Sequence, residues 1–282
     1  MHTKIPAKVA SGASAGVAAK SIIRKTMSTA KPQKPGKPRM SLQEAMDALQ
    51  AAGSEQTRKT YLRHGAKEPM FGVSFATLKV MHKSIGVDHA LAILLWDTGN
   101  LDARNLAVKI VDPSQMSTQT LDAWARWDVP RSCGAYVAEV TSEGEHAMSR
   151  VKTWLASKDV AQQATGWTLT GVLAMRDDAL DDSWFLERLG QIEASIHGAA
   201  NALLAPMNAA VIRIGCRNPA LRKAATDTAL RIGKVTIDHG NTACKTADAV
   251  LDIDKAWAHS LAKGFVSPAA HERSRESARL RC

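Results

Sequence analysis

Aspartate and glutamate are missing from the first 43 positions of this 282-residue chain, and the first 40 carry nine lysines and arginines. The formal net charge is +10, from 37 basic and 27 acidic residues. Taking the nine tail residues from 37 leaves 28 basic against 27 acidic, a balance of +1, for residues 41–282. The basicity therefore belongs to the tail, and the remainder is nearly neutral in total, which still permits a basic face. Long apolar runs are also absent. Nothing approaches the roughly 18 consecutive apolar residues of a membrane span, and no apolar block near the start ends in a small-residue cleavage pattern. The chain reads as soluble, not secreted and not membrane-bound. Cysteine is scarce and dispersed: Cys133, Cys216, Cys244 and Cys282 form no Cys-x-x-Cys pair, which argues against a disulfide framework or a zinc knuckle and suits a reducing cytosol. No stretch alternates convincingly enough for a sheet, and the Lys234–Ile237 run is too short to carry one.

What is present is a 45% hydrophobic chain able to bury a sizeable core. Residues 1–40, rich in Lys-Pro, Ala, Gly and Ser, are expected to form a disordered basic tail, residues 41–265 a helical domain, and residues 266–282 a flexible C-terminal tail. Helix starts recur from Ser41 onward. Ser41 with Glu44 makes a capping box ahead of Leu42, Ala45, Met46 and Leu49, and Gly53 stops the segment. Ser54, Ser74, Asp88, Asp102 and Ser117 open further segments, followed by candidates at 134–142, 144–157, 159–175, 183–197, 199–216, 219–232 and 246–263. Short amphipathic helices joined by tight turns suggest a stacked solenoid, although the strict repeat is weak and a helical bundle fits the pattern too. Most of the seven tryptophans are expected to be core wedges, with Trp127 lining a surface.

Four segments bring a family into view: "FGVSFATLKVMHK" (71–83), "ALAILLWDTGNLDARNLAVKIV" (90–111), "WARWDVPRSC" (124–133) and "MNAAVIRIGCRNPALRKAATDTALRIGKVTIDHGNTACKTADA" (207–249). Their order and spacing resemble the DNA alkylation repair family, the AlkD-like proteins. The last contains Asp-His-Gly-x-Thr-x-Cys-Lys-Thr at 238–246, which resembles an uncharacterised bacterial branch. The resemblance implies an all-α solenoid of HEAT-like repeats whose concave face holds double-stranded DNA, and excision of cationic N3- or N7-alkylpurines without a cofactor. In that chemistry a carboxylate stabilises charge growing on the sugar, and tryptophans line the lesion site.

The family pattern is Trp-Asp-x-x-Asp, with the Trp and the second Asp on one helical face. Here Trp127 and Asp128 match, but the second Asp is replaced by Arg131. A guanidinium beside a developing oxocarbenium ion raises its energy. No tryptophan stands near 209–211, and Gln163, Ala164 and Thr165 stand where the lesion-facing arginine is implied. The candidate catalytic residues are Asp128 and Trp127. Asp128 also fits a helix N-cap ahead of Pro130 and Ser132, and Glu139 is a second candidate carboxylate. Arg131, Arg104, Lys109, Arg213, Arg217 and Lys245 are candidate DNA contacts, and Arg63, Lys67 and Lys152 extend the stripe.

The 238–246 cluster reads as a loop in which Gly240 takes a special dihedral, Asp238 and Thr242 cap turns, and Thr246 starts the last helix. It also reads as an anion-binding turn at Lys245, and it offers too few ligand types for zinc. Two functions follow: a DNA-binding repair protein, monomeric, cytoplasmic and nucleoid-associated, its tail either contacting the phosphate backbone or serving as a solubilising extension, or a non-enzymatic scaffold or sensor of DNA structure.

Overall fold

The computed structural model describes residues 39–126 and 133–281. They form helices α1 (Leu42–Ala52), α2 (Glu55–Arg63), α3 (Phe75–Ile85), α4 (His89–Asp97), α5 (Leu101–Ile110), α6 (Thr118–Ala125), α7 (Cys133–Ser142) and α8 (Ala147–Leu155). The C-terminal half adds α9 (Val160–Arg176), α10 (Asp182–Ser195), α11 (Asn201–Gly215), α12 (Pro219–Ile232), α13 (Ala249–Ala262), α14 (Pro268–Arg273) and α15 (Ala278–Arg281). No strand occurs among the described residues, and none of their helices is long and apolar enough to cross a membrane.

Local chemistry sets most helix starts. Ser41 and Glu44 form the expected reciprocal box, and Ser54, Ser74, Asp88 and Ser117 accept the backbone N–H three residues on. Two starts differ. Asn100, not Asp102, caps α5, freeing the buried Asp102 carboxylate to accept the N–H groups of Phe71, Gly72 and Val73 at 2.6, 2.9 and 2.9 Å. This ties the α2–α3 connection to α5 through charge-assisted bonds. The last long helix begins after Asp248, not at Thr246.

α9 is the central helix, packed by α7, α8, α11 and α14. Gly166 permits its close approach to α8, since a Cβ there would lie 3.0 Å from the Leu155 nitrogen. Tryptophan serves as the expected wedge: Trp96 and Trp124 stack at 4.0 Å, Trp154 Nε1 donates to Asp122 at 2.7 Å, and Trp257 Nε1 donates to the Gly215 carbonyl at 2.8 Å. Burial pushes the Cys216 thiol up to about 12, so it stays protonated.

The C-terminal end is not a flexible tail. α14 packs on α9 and α13, and α15 packs on α3, α5 and α7. Arg279, only 4% exposed, pairs with Glu143 at 2.6 Å and donates to the Val108 and Lys109 carbonyls. The missed signal was the polar composition of 266–282, in which charged side chains find partners on the body of the protein instead of water.

Candidate nucleic-acid interface

A cleft of about 960 Å³ opens along α9 and α11. Its floor is built from small side chains at helical spacing: Ala161, Ala164, Thr165, Thr168 and Gly171 on α9, and Ala202, Ala205 and Ala209 on α11. The threonine hydroxyls are satisfied by backbone carbonyls, Thr165 by Ala161 at 3.0 Å and Ala125 at 3.3 Å and Thr168 by Ala164 at 2.9 Å.

Arg63 at the end of α2, Arg126 just after α6 and Arg213 in the last turn of α11 line this cleft. None of the three makes a hydrogen bond or ion pair among the described residues. Apart from Arg39, every other described arginine is held by a carboxylate or a carbonyl. Gly171 makes room for Arg213, because a Cβ there would meet the arginine Cδ at 2.7 Å. On α7, which packs against α9, Glu139 is buried, and burial raises its carboxyl above the usual glutamate range against the pull of Arg213 and Arg176. Its Oε2 has no hydrogen-bond partner.

One wall of the cleft is the loop Ile237–Thr242. Asn201 grips its backbone twice, donating to the Asp238 carbonyl and accepting the Asp238 N–H, both at 2.9 Å. Asn208, two turns along the same face of α11, donates to the Ala247 carbonyl at 2.9 Å. As expected, Asp238 and Thr242 close turns, onto the N–H groups of Gly240 and Cys244, and Gly240 takes φ 57°.

Of the expected contacts, Arg63 and Arg213 are in the cleft. Trp127, Asp128, Pro130, Arg131 and Ser132 lie outside the described residues; Arg126 and Ala135 line the cleft. Two expected contacts are corrected by burial. Lys109, 1% exposed, donates to the Arg279 carbonyl at 2.6 Å, and Arg217, 6% exposed, donates to the carbonyls of Ala174, Asp177 and Leu180. Arg104 is half-buried, donating to the Trp96 carbonyl at 3.1 Å and lying over its ring. Lys67, Lys152 and Lys245 are exposed but do not line the cleft, and Glu139 lies beneath it. Arg126 went unread in the sequence, hidden as the last residue before the Trp-Asp segment, although that adjacency was the available signal.

A profile of the DNA alkylation repair enzyme family matches residues 45–209. The chain belongs to this family. The chain is 26% identical over 214 residues to the uncharacterized protein Lmo0209 of Listeria monocytogenes serovar 1/2a, covering 74% of this chain and 93% of that protein. It is 25% identical over 214 residues to Lin0241 of Listeria innocua serovar 6a, with the same coverage. A solved structure is similar with a TM-score of 0.72 and 29% identity, over 80% of this chain and 96% of its own. It is described as a new family of proteins related to the HEAT-like repeat DNA glycosylases with affinity for branched DNA structures. The all-α repeat architecture of the DNA alkylation repair family is thus the architecture here, and the cleft lies on helices inside or bordering the matched range.

Proposed function

We propose that this protein binds DNA in the α9–α11 cleft through the phosphate backbone, favours branched structures over plain duplex, and lacks the carboxylate-assisted base excision of glycosylases. The observation that carries the reading is the set of three unpaired guanidiniums, Arg63, Arg126 and Arg213, around a floor of small side chains. The three guanidiniums outnumber the two carboxylates that line the cleft, Asp159 and Asp238, and a phosphodiester supplies further counter-charge while releasing its own counterions. Preference for branches is supported by the solved relative's affinity for such structures. Loss of excision is supported by Arg131 at the second Asp position. It is also supported by Ala164, Thr165, Ala209 and Ala210, which line the cleft where the resemblance implies an arginine and a tryptophan. The basic tail adds sequence-independent contacts.

The test is anisotropy with a four-way junction and a linear duplex of matched sequence across a salt series. The expected result is tighter junction binding, with the three arginines contributing about −2.7 to the log K against log salt slope beyond the share of the basic tail. Joint alanine replacement of the three arginines should remove that contribution. Equal affinity for both forms would defeat the branched preference, and a slope unchanged in the triple variant would defeat the cleft as the DNA site.

Retention of Trp127 and Asp128 favours a second reading, in which excision persists. Single-turnover base release from duplex containing N7-methylguanine decides between them. Release by the wild type, abolished in Asp128→Asn, establishes an active glycosylase. Release gained only in Arg131→Asp establishes a binding protein on a glycosylase scaffold.

A further inference from the structure

Building on the DNA-binding reading, we infer that the loop Ile237–Thr242 contacts exposed base edges of unpaired nucleotides and so sets the preference for branched DNA. The charge of the cleft is divided. Arg63, Arg126 and Arg213 come from α2, α6 and α11, whereas this loop contributes Asp238, His239 and Asn241 and no lysine or arginine. A phosphate is drawn to the guanidiniums and repelled by the Asp238 carboxylate, so a strand in the cleft turns its backbone to the arginines and its bases to the loop. Carboxylate, imidazole and carboxamide are groups that hydrogen-bond base edges, and the carboxamide of asparagine pairs with adenine through two bonds. Asn241 is exposed and makes no hydrogen bond among the described residues.

The loop is fixed before any ligand arrives. Asn201 docks its first residues on α11, Asn208 holds the Ala247 carbonyl of the segment that follows, the Asp238 carboxylate accepts the Gly240 N–H at 2.8 Å, and the Thr242 hydroxyl donates to the His239 carbonyl at 2.9 Å. The His239 ring lies 3.1 Å from the Thr246 hydroxyl. The ordering cost that a mobile loop would incur on binding is met in folding. Base edges are free to meet such a wall where pairing is broken, as at a branch point, and are withdrawn inside a paired duplex. Asn201 and Asn208 are positioning residues in this arrangement.

The experiment measures affinity of the full chain for a three-way junction with unpaired nucleotides at its centre and for a blunt duplex of equal length. It compares wild type, Asn241→Ala and the double variant His239→Ala/Asn241→Ala. The expected result is a roughly tenfold fall in the junction-to-duplex ratio in the double variant, a smaller fall in Asn241→Ala, and duplex affinity held within about twofold. Asn241→Ala alters only an exposed side chain and so reports even if the double variant folds poorly. An unchanged ratio in Asn241→Ala and in a folded double variant, or an equal loss on both DNAs, would overturn the inference while leaving DNA binding in place. Failure of the wild type to bind either DNA would remove the proposed function and this inference together.

Discussion

Two groups of arginines occupy this protein in opposite ways. In the C-terminal segment and the helix beneath it, Arg176 and Arg281 share Glu272, Arg279 holds Glu143, and Arg273 reaches the Met175 carbonyl and Asp178. In the cleft, Arg63, Arg126 and Arg213 hold nothing in the fold. The same side chain closes the molecule on one surface and waits for a counter-charge on another. Paired, buried guanidiniums constrain the structure, and their removal strands the partners they satisfied. Unpaired ones keep their hydrogen-bond donors available, so a region of that kind is where binding energy is expected.

The largest expected effect lies on the paired side. Arg279→Leu strands Glu143 and two backbone carbonyls, which should cost about 3–5 kcal/mol. Thermal melting should fall by roughly 6–20 °C, at about 2–4 °C per kcal/mol for a chain of this size, and an unchanged melt would mean that the segment does not hold the fold. Arg213→Ala should do the reverse. DNA affinity drops about tenfold, the salt slope loses about 0.9, and the melt moves by the equivalent of no more than about 0.5 kcal/mol. If that variant instead melts early while binding normally, the contrast between the regions is lost.

Gly171→Ala sharpens the comparison further. Its methyl displaces the Arg213 stem, so a few-fold loss of DNA affinity is expected in anisotropy with little change in the melt. The smallest effect is expected at Glu139, which burial raises against Arg213 and Arg176, with Glu143 and Glu272 adding to the rise. A carboxyl raised on folding contributes stability below its unfolded value, about pH 4.3, and loses it as pH rises through the folded value. Glu139→Gln removes that loss, so it should melt above wild type at neutral pH and converge with it in acid. A constant offset at every pH would show that Glu139 does not titrate in this way.

Much of the fold was legible because helix caps act within three or four residues. Ser41, Ser54, Ser74, Asp88 and Ser117 could be read without knowing any neighbour in space. Asp102 was misread as a cap because its partners, Phe71 to Val73, lie about thirty residues back. The cleft was half-legible. Arg213 and Arg63 stood in the expected stripe, but Lys109 and Arg217 looked identical to them in sequence and proved to be buried. Arg126 was passed over because its place at the cleft depends on where α6 ends against α9.

The sequence by itself determined the helical class, the division between a basic tail and a nearly neutral remainder, and the family, because these depend on composition, short-range periodicity and motif order. Tertiary structure alone decided which cations are paired inside the fold and which line the cleft unpaired. It alone decided that residues 268–281 clasp the body and that two asparagines on α11 seat a loop from thirty-odd residues downstream. Those outcomes rest on contacts between residues distant in the chain, where burial and pairing are set by packing and not by the identity of the side chain.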